Sequence, residues 1–187
     1  MATDRFLVGI DPGFVETGVV VLGPDRSLRA YATYTMPPGE FTAVRAARLA
    51  GRIATFVERN VPGPALIGCE YAVARSNVDV YRKQCQLLQA IGWSLWVLNR
   101  WLWDFVEVGP TMVKLCATGD GNANKAAMIE ASPFARPEFG HLRRPTLEAL
   151  ADAFGVALAS EREERFGLRL IEVELPQVIV NVEQEAT

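Results

Sequence analysis

Histidine is almost absent from this 187-residue chain, where His141 is the only one. Cysteine is scarce, and Cys69, Cys85 and Cys116 are unevenly spaced with no Cys-x-x-Cys pair. A chain so poor in imidazole and clustered thiol has neither a zinc-ligand pattern nor a disulfide framework. Lysine is rare too, three residues beside sixteen arginines, a bias that suits bidentate phosphate contacts and equally suits a GC-rich genome. No apolar run approaches the ~18 residues of a membrane span. The opening MATDRFLVGIDPG carries an acid at Asp4 and breaks at Asp-Pro-Gly after a short apolar run, so it reads as neither signal peptide nor anchor. A soluble, cytoplasmic protein with no membrane partner is expected. Internal repeats and low-complexity stretches are missing as well.

What the chain does have is apolar bulk. Hydrophobic residues make up 50% of it, enough for one substantial core at this length and too little chain for two ordinary domains. One domain over residues 1–165 is expected, followed by an acidic, strand-like extension over 166–187. The net charge of −3 conceals its distribution: residues 1–160 hold 16 basic and 15 acidic side chains, whereas 161–187 hold 3 and 7. The acidity lies in the tail, and because local fields steer a polyanion, the total does not exclude nucleic acid as a partner.

Residues 5–10 form a short apolar run, Asp11-Pro12-Gly13 breaks it, and residues 17–22 resume with β-branched residues, which predicts a hairpin. After the turn at Gly23-Pro24-Asp25, residues 28–35 alternate as a third strand. Over 40–60 the apolar Ala46, Leu49, Ile53, Phe56 and Val57 recur at three and four, with Arg45, Arg48, Arg52 and Arg59 largely on other faces, which predicts an amphipathic helix. Residues 65–69 are apolar throughout, the pattern of a strand buried on both sides, and the run ends in Glu70. A helix over 77–98, a strand over 103–108, a short helical turn over 111–116 and a helix from about 124 follow. The last core helix is expected from Pro145-Thr146 to about 164, with Thr146 as its N-cap. Residues 168–175 and 178–182 are strand-like. Three antiparallel strands thus precede strands that must return through helical crossovers. The order predicts an α/β, ribonuclease H-like fold: a mixed five-stranded sheet, three antiparallel strands plus two parallel, flanked by helices.

In that fold Asp11 ends the first strand and Glu70 ends the fourth, its parallel neighbour, while Glu148 and Asp152 stand at i and i+4 on the last helix. Four carboxylates then meet in one crevice. Plainer roles are open to two of them, since Asp-Pro-Gly is a common turn and Glu148 suits the first turn of a helix. Glu70 after an apolar strand and Asp152 inside LEALADAFGVALA are harder to explain structurally, because a buried acid needs a partner. Clustered carboxylates repel and coexist stably when cations neutralise them. Oxygen-only donors select hard ions, so two Mg²⁺ per site are expected, with Mn²⁺ able to substitute. Two such ions about 4 Å apart would polarise a scissile phosphate and activate water.

These residues resemble those of the RuvC-like Holliday junction resolvases. Val8-Gly-Ile-Asp11-Pro-Gly13 with Thr17-Gly18 is similar to the family's first catalytic motif, and Glu70-Tyr71 with Arg75-Ser76-Asn77 to its second. Val113-Lys114, Thr118-Gly119 and Asn122-Ala-Asn124-Lys125 are similar to its basic loop and following helix, and Ala151-Asp152-Ala153 to its last acidic motif. The matches fall in order over roughly residues 6–160. The resemblance implies a Mg-dependent endonuclease of the crossover-junction endodeoxyribonuclease type in which Asp11, Glu70, Glu148 and Asp152 hold metal and Tyr71, Arg75, Asn77, Lys114 and Lys125 contact DNA. It also implies a homodimer whose two-fold symmetry matches that of a four-way junction or other branched DNA, nicking opposing strands symmetrically. The family's usual fourth ligand lies three residues before the last Asp, where this chain has Ala149; Glu148 is the neighbouring substitute. Trp93, Trp96, Trp101 and Trp103 fall outside the family's pattern.

Other functions share this fold. An actin-like ATPase would need a second Gly-rich phosphate loop and an adenosine-binding segment, and 187 residues leave little room for its second duplicated lobe. A pre-ribosomal-RNA nuclease of the same fold is the main alternative, although 118–125 fits a resolvase more closely. A non-catalytic binder of branched DNA is a third reading.

Overall fold

The apolar runs pair into a single sheet. The computed structural model of the protein describes residues 4–13, 15–35, 43–71, 78–98 and 103–166, and within them five strands lie in the order β3-β2-β1-β4-β5. β1 (Phe6–Asp11), β2 (Thr17–Leu22) and β3 (Leu28–Tyr34) are the antiparallel set, and β4 (Ala65–Glu70) and β5 (Trp103–Val108) add in parallel. The mixed sheet is the expected one. β1 ends one residue later than its apolar run, because Asp11 still pairs with Gly18, so the acid stands in the ladder rather than beyond it.

Helices cover both faces. α1 (Ala43–Asn60) and α2 (Val78–Leu98) pack on one, where Val8, Ile10, Val19 and Val21 meet Leu49, Ile53, Val57, Leu87 and Ile91. α3 (Pro110–Thr118), α4 (Lys125–Glu130) and α5 (Arg144–Phe166) lie on the other, over Leu7, Val20, Leu22, Leu66 and Val108. The two cores follow strand alternation, odd and even positions of β1 facing opposite layers.

Two helices, α3 and α5, differ in their ends from the sequence expectation. α3 is longer than one turn because Pro110 opens it without needing its missing N–H, and Gly119, at a left-handed φ of 82°, closes it by donating to the Leu115 carbonyl. α4 begins as expected, Asn124 accepting from the Ala127 amide at 3.0 Å. α5 starts at Arg144 and extends past Glu164, so Thr146 is inside its first turn and not its cap. Two acids counted with the tail are used structurally: Glu161 pairs with Arg26 at 2.8 Å and Glu164 with Arg5, which also holds Asp104 at 3.2 Å. These bonds tie the carboxyl half of α5 to the β2–β3 turn and to the start of β1. The turn itself holds Arg26 at φ 64°, with its amide donating to the Gly23 carbonyl at 2.8 Å. The strand-like 168–175 and 178–182, and Trp101, lie outside the described residues. None of the described helices is long and apolar enough to cross a membrane.

Candidate active site

Register brings the first two acids together. β1 and β4 run in parallel with Ile10 opposite Cys69, so Asp11 and Glu70 are neighbours at the carboxyl ends of adjacent strands. Both share the strand face of Leu7 and Leu66, the face covered by α5. Asp152 comes down from that helix and is 8% exposed.

Glycine is what lets it come so close. A Cβ on Gly9 would lie 1.9 Å from the Ala153 carbonyl oxygen, one on Gly18 would lie 2.1 Å from the Ala149 carbonyl oxygen, and one on Gly68 would lie 2.7 Å from the Ser160 Cβ. Three strands therefore offer bare backbone along the line where α5 crosses them. The signal was available in the sequence, since an isolated glycine in a strand marks close approach of another backbone. It was missed because two of the three sit inside motifs already read for their acids.

The β1–β2 loop is tied down on both sides. Gly13 donates its amide to the Asp11 carbonyl at 3.0 Å, and the Thr17 hydroxyl donates to the Gly13 carbonyl at 2.9 Å. The Thr146 hydroxyl, freed from capping, donates to the Glu16 carboxylate at 2.6 Å. Loop and helix are thus bonded beside the acids they carry.

Electrostatics confirm the crowding. Burial pushes the Asp11 carboxyl well above the usual carboxylate range, and the charges of Glu70 and Asp152 push it further, with Lys125 opposing. Burial also raises Asp152; a hydrogen bond and the charge of Lys125 pull it back, the charge of Glu148 adds to the rise, and Lys114 opposes it. The Lys125 ammonium donates to the Asp152 carboxylate. Desolvation alone would lower Lys125, but Asp152, Asp11 and Glu70 together hold it above its ordinary value.

This donor set fits a hard divalent ion: oxygen ligands only, more negative charge than one lysine neutralises, and a pKa pattern that a cation would relieve. As the side chains stand, no three His, Cys, Asp or Glu among the described residues are gathered closely enough to hold one, and the Lys125 ammonium lies on Asp152 instead. Glu148 is directed toward Arg144, which donates to it at 3.0 Å. It reaches Asp152 through its charge alone. Ala149 turns its backbone to Gly18 and offers no ligand.

Of the other residues singled out, Tyr71 lines a small cleft of about 30 Å³ with Asp11, Pro12, Glu70, Gln84 and Leu88. It is 42% exposed, so it is not a core aromatic; its amide donates to the Val108 carbonyl at 3.0 Å and its ring stands over Gly109. Lys114, on α3, is close enough for its charge to act on Asp152. Arg75 and Asn77 lie outside the described residues. His141 donates from Nδ1 to the Glu138 carbonyl at 2.9 Å and has no hydrogen bond to the acids.

No protein-family model matches the chain, and no curated protein sequence matches it. Solved structures do. The structure of Thermus thermophilus RuvC superposes with a TM-score of 0.63 at 23% identity, covering 87% of this chain and 96% of that one. T. thermophilus RuvC in complex with Holliday junction substrate gives 0.63 at 20% identity over the same shares. The yeast mitochondrial Holliday junction resolvase Ydc2 gives 0.62 at 11% identity, covering 88% and 81%. The fold is ribonuclease H-like. At these identities the likeness establishes architecture, and function has to be argued from the site.

Proposed function

We propose that the protein is a metal-dependent endonuclease that resolves four-way DNA junctions by phosphodiester hydrolysis, nicking opposing strands symmetrically. The observation that carries this reading is the meeting of Asp11, Glu70 and Asp152 where two parallel strands end under α5, with Lys125 and Lys114 beside them. The likeness to resolvase structures supports the choice of branched DNA as substrate.

Asp11, Glu70 and Asp152 would hold two Mg²⁺ or Mn²⁺, with Glu148 in reserve if Arg144 releases it. Bound there, the ions supply Lewis-acid polarisation of the phosphate and a water acidic enough to attack it. The remaining work falls to the chain. Lys125 screens the acids while no ion is bound, and a phosphate oxygen offers its ammonium an alternative partner. Lys114 adds a second positive charge on the same side. The half-exposed Tyr71 ring at the rim of the cleft is placed to stack on an unpaired base at a branch point, a contact worth roughly 1–3 kcal/mol. The glycine-seated α5 keeps the carboxylates from drifting apart, and preorganised charge of this kind is what stabilises a reacting phosphate.

A homodimer completes the reading, because two symmetric nicks need two sites related by a two-fold axis. Trp93 and Trp96, stacked at 5.2 Å and exposed by 66% and 49% on α2, support a contact there between copies.

The test is cleavage of a labelled four-way junction beside linear duplex, a flap and structured RNA, with Mg²⁺, with Mn²⁺ and with chelator. Paired symmetric nicks on the junction, abolished by chelator, are expected. Cutting of the RNA instead would make the chain a ribosomal-RNA-type nuclease, and binding without cutting under either metal would make it a junction-binding protein.

A further inference from the structure

Away from the acids, a groove of about 640 Å³ runs between α1 and the β3 edge of the sheet, lined by Tyr34, Arg48, Gly51, Arg52, Thr55 and Arg59 among others. The arginines recur at i, i+4 and i+11 and so form one stripe, roughly 16 Å long at the helical rise. Among the described residues none of the three is ion-paired. Their neighbours at three and four within α1 are Val44, Arg45, Leu49, Gly51, Thr55 and Phe56, without one acid.

An ordinary solvated helix face mixes signs, and like charges at i, i+4 such as Arg48 and Arg52 repel. The stripe is a concentration of positive charge against which α1 sets a single acid, Glu58, adjacent to Arg59 in sequence and not at a facing three- or four-residue spacing. It is also held in shape: the Arg52 guanidinium lies 4.9 Å over the Tyr34 ring, and the Tyr34 hydroxyl donates to the Arg52 carbonyl at 3.5 Å. Burial raises the Tyr34 hydroxyl while Arg52 and Arg59 lower it, so both charges reach that ring. Gly51 leaves the floor between the arginines open, with nothing within 4 Å of where a Cβ would be.

The groove lies at the right end of the molecule. Asp11 pairs with Gly18 and Gly18 with Thr33, the neighbour of Tyr34, so the groove starts two strands, roughly 10 Å in the plane of the sheet, from the acids, on the α1 face while the acids lie on the α5 face. α1 connects the carboxyl end of β3 to the start of β4, opposite Phe6, so the stripe leads away from the end of the sheet that carries the acids toward the opposite end of the strands.

We propose that Arg48, Arg52 and Arg59 form a phosphate track that grips the backbone of one DNA arm as it leaves the cleft. The proposal rests on the nuclease reading for the identity of the nucleic acid. Planar guanidinium groups suit phosphate oxygens, and the grip is sequence-blind; the Thr55 hydroxyl is already committed to the Gly51 carbonyl at 2.9 Å.

The experiment is fluorescence anisotropy of a labelled four-way junction, a linear duplex and a structured RNA, in chelator, across a salt series. It compares wild type with R48Q/R52Q/R59Q and with R48K/R52K/R59K, thermal melting monitoring the fold. The Gln triple is expected to weaken junction binding roughly 10- to 100-fold and to reduce the log–log salt slope by about 2 to 3, since each phosphate contact contributes about 0.9; the Lys triple should keep most of the slope. If the Gln triple does not melt like wild type, Arg48→Gln and Arg59→Gln singly should each remove about one unit of slope. An unchanged slope, or a Lys triple that loses as much as the Gln triple, overturns the track and leaves the nuclease reading standing. Wild type that binds only RNA, still through the stripe, keeps the track and removes the junction as substrate. Wild type that binds no nucleic acid removes both.

Discussion

On the α5 side of the sheet, helix backbone meets strand backbone, because Gly9, Gly18 and Gly68 have no side chain to intervene. On the α1/α2 side the same strands present Val8, Ile10, Val19 and Val21, and the helices stand off on layers of leucine, isoleucine and valine. The first contact has almost no slack. The second is an ordinary apolar core, which repacks at modest cost when volume is conserved. The proposed chemistry sits with the first, since it requires Asp152 to be held near Asp11 and Glu70; the outward faces of the second are left for arginine stripes and tryptophans, where placement to an ångström matters less. A position that looks like mere packing can therefore be as decisive for activity as a ligand, provided it lies under α5.

The most severe break is at the acids. Asp11→Asn, Glu70→Gln and Asp152→Asn are each expected to lower junction nicking by roughly 10³-fold or more while binding in chelator survives. Asp11→Asn adds a second readout. Because the folded pKa of Asp11 is raised, the folded state holds that proton more tightly than the unfolded chain does, so ionisation costs stability. Metal-free wild type should therefore lose stability as pH rises from the ordinary carboxylate value of about 4 through the raised one, and at neutral pH Asp11→Asn should melt higher than wild type in chelator. A variant that melts lower there would mean that the carboxylate is paired rather than crowded.

Next comes the helix seat. Gly9→Ala places a Cβ where the Ala153 carbonyl already is. Backbone must move, at a cost of about 1–3 kcal/mol or more, and α5 is displaced with Asp152 on it. Nicking by the folded fraction should fall by about 10², the order expected for a 1 Å misplacement of a reacting group. Wild-type nicking with a lowered Tm would show that Asp152 does not depend on how closely α5 is seated.

Much of this was legible in the sequence, and the parts that were not share a cause. Apolar runs, alternation and β-branched stretches placed the five strands of the described residues, and three-four periodicity placed α1, because buried positions repeat along each element. Asp11 and Glu70 could be assigned to one crevice because strand ends are positioned by the ladder itself. Glu148 was harder, since i and i+4 share a helix face without saying where an acid on that face will point, and Arg144 at the same spacing draws it away. Thr146 looked like a cap because its partner, Glu16, is 130 residues away. In the sequence Arg48, Arg52 and Arg59 are only the non-apolar faces of an amphipathic helix; the other wall of their groove comes from Tyr34 on β3. Local patterns carry local structure; what two distant segments make together appears with the tertiary contact.

A milder probe of the catalytic face is Lys125. Its ammonium neutralises Asp152 in the folded protein, and the nuclease reading has it move to a phosphate. Lys125→Ala is expected to reduce the salt slope of junction binding by about 1 and to lower the melting temperature in chelator, the second effect disappearing when Mg²⁺ is added. A slope equal to that of wild type would confine Lys125 to screening the acids.

The smallest expected change has the opposite sign. Gly92 lies on the exposed side of α2, and a Cβ there meets nothing within 4 Å. Glycine inside a helix costs about 0.8–1 kcal/mol relative to alanine, and no close contact opposes its removal, so Gly92→Ala should raise Tm by about 2–4 °C without altering nicking. The chemical change is the same as in Gly9→Ala, but here the methyl group enters solvent on a helix and not the buried contact between β1 and α5. If Gly92→Ala lowers Tm, with the loss growing as protein concentration rises, the outward face of α2 is close-packed in solution. The neighbouring Trp93 and Trp96 would then belong to a contact between copies as tight as the one under α5, and the contrast between the two faces would narrow to the monomer.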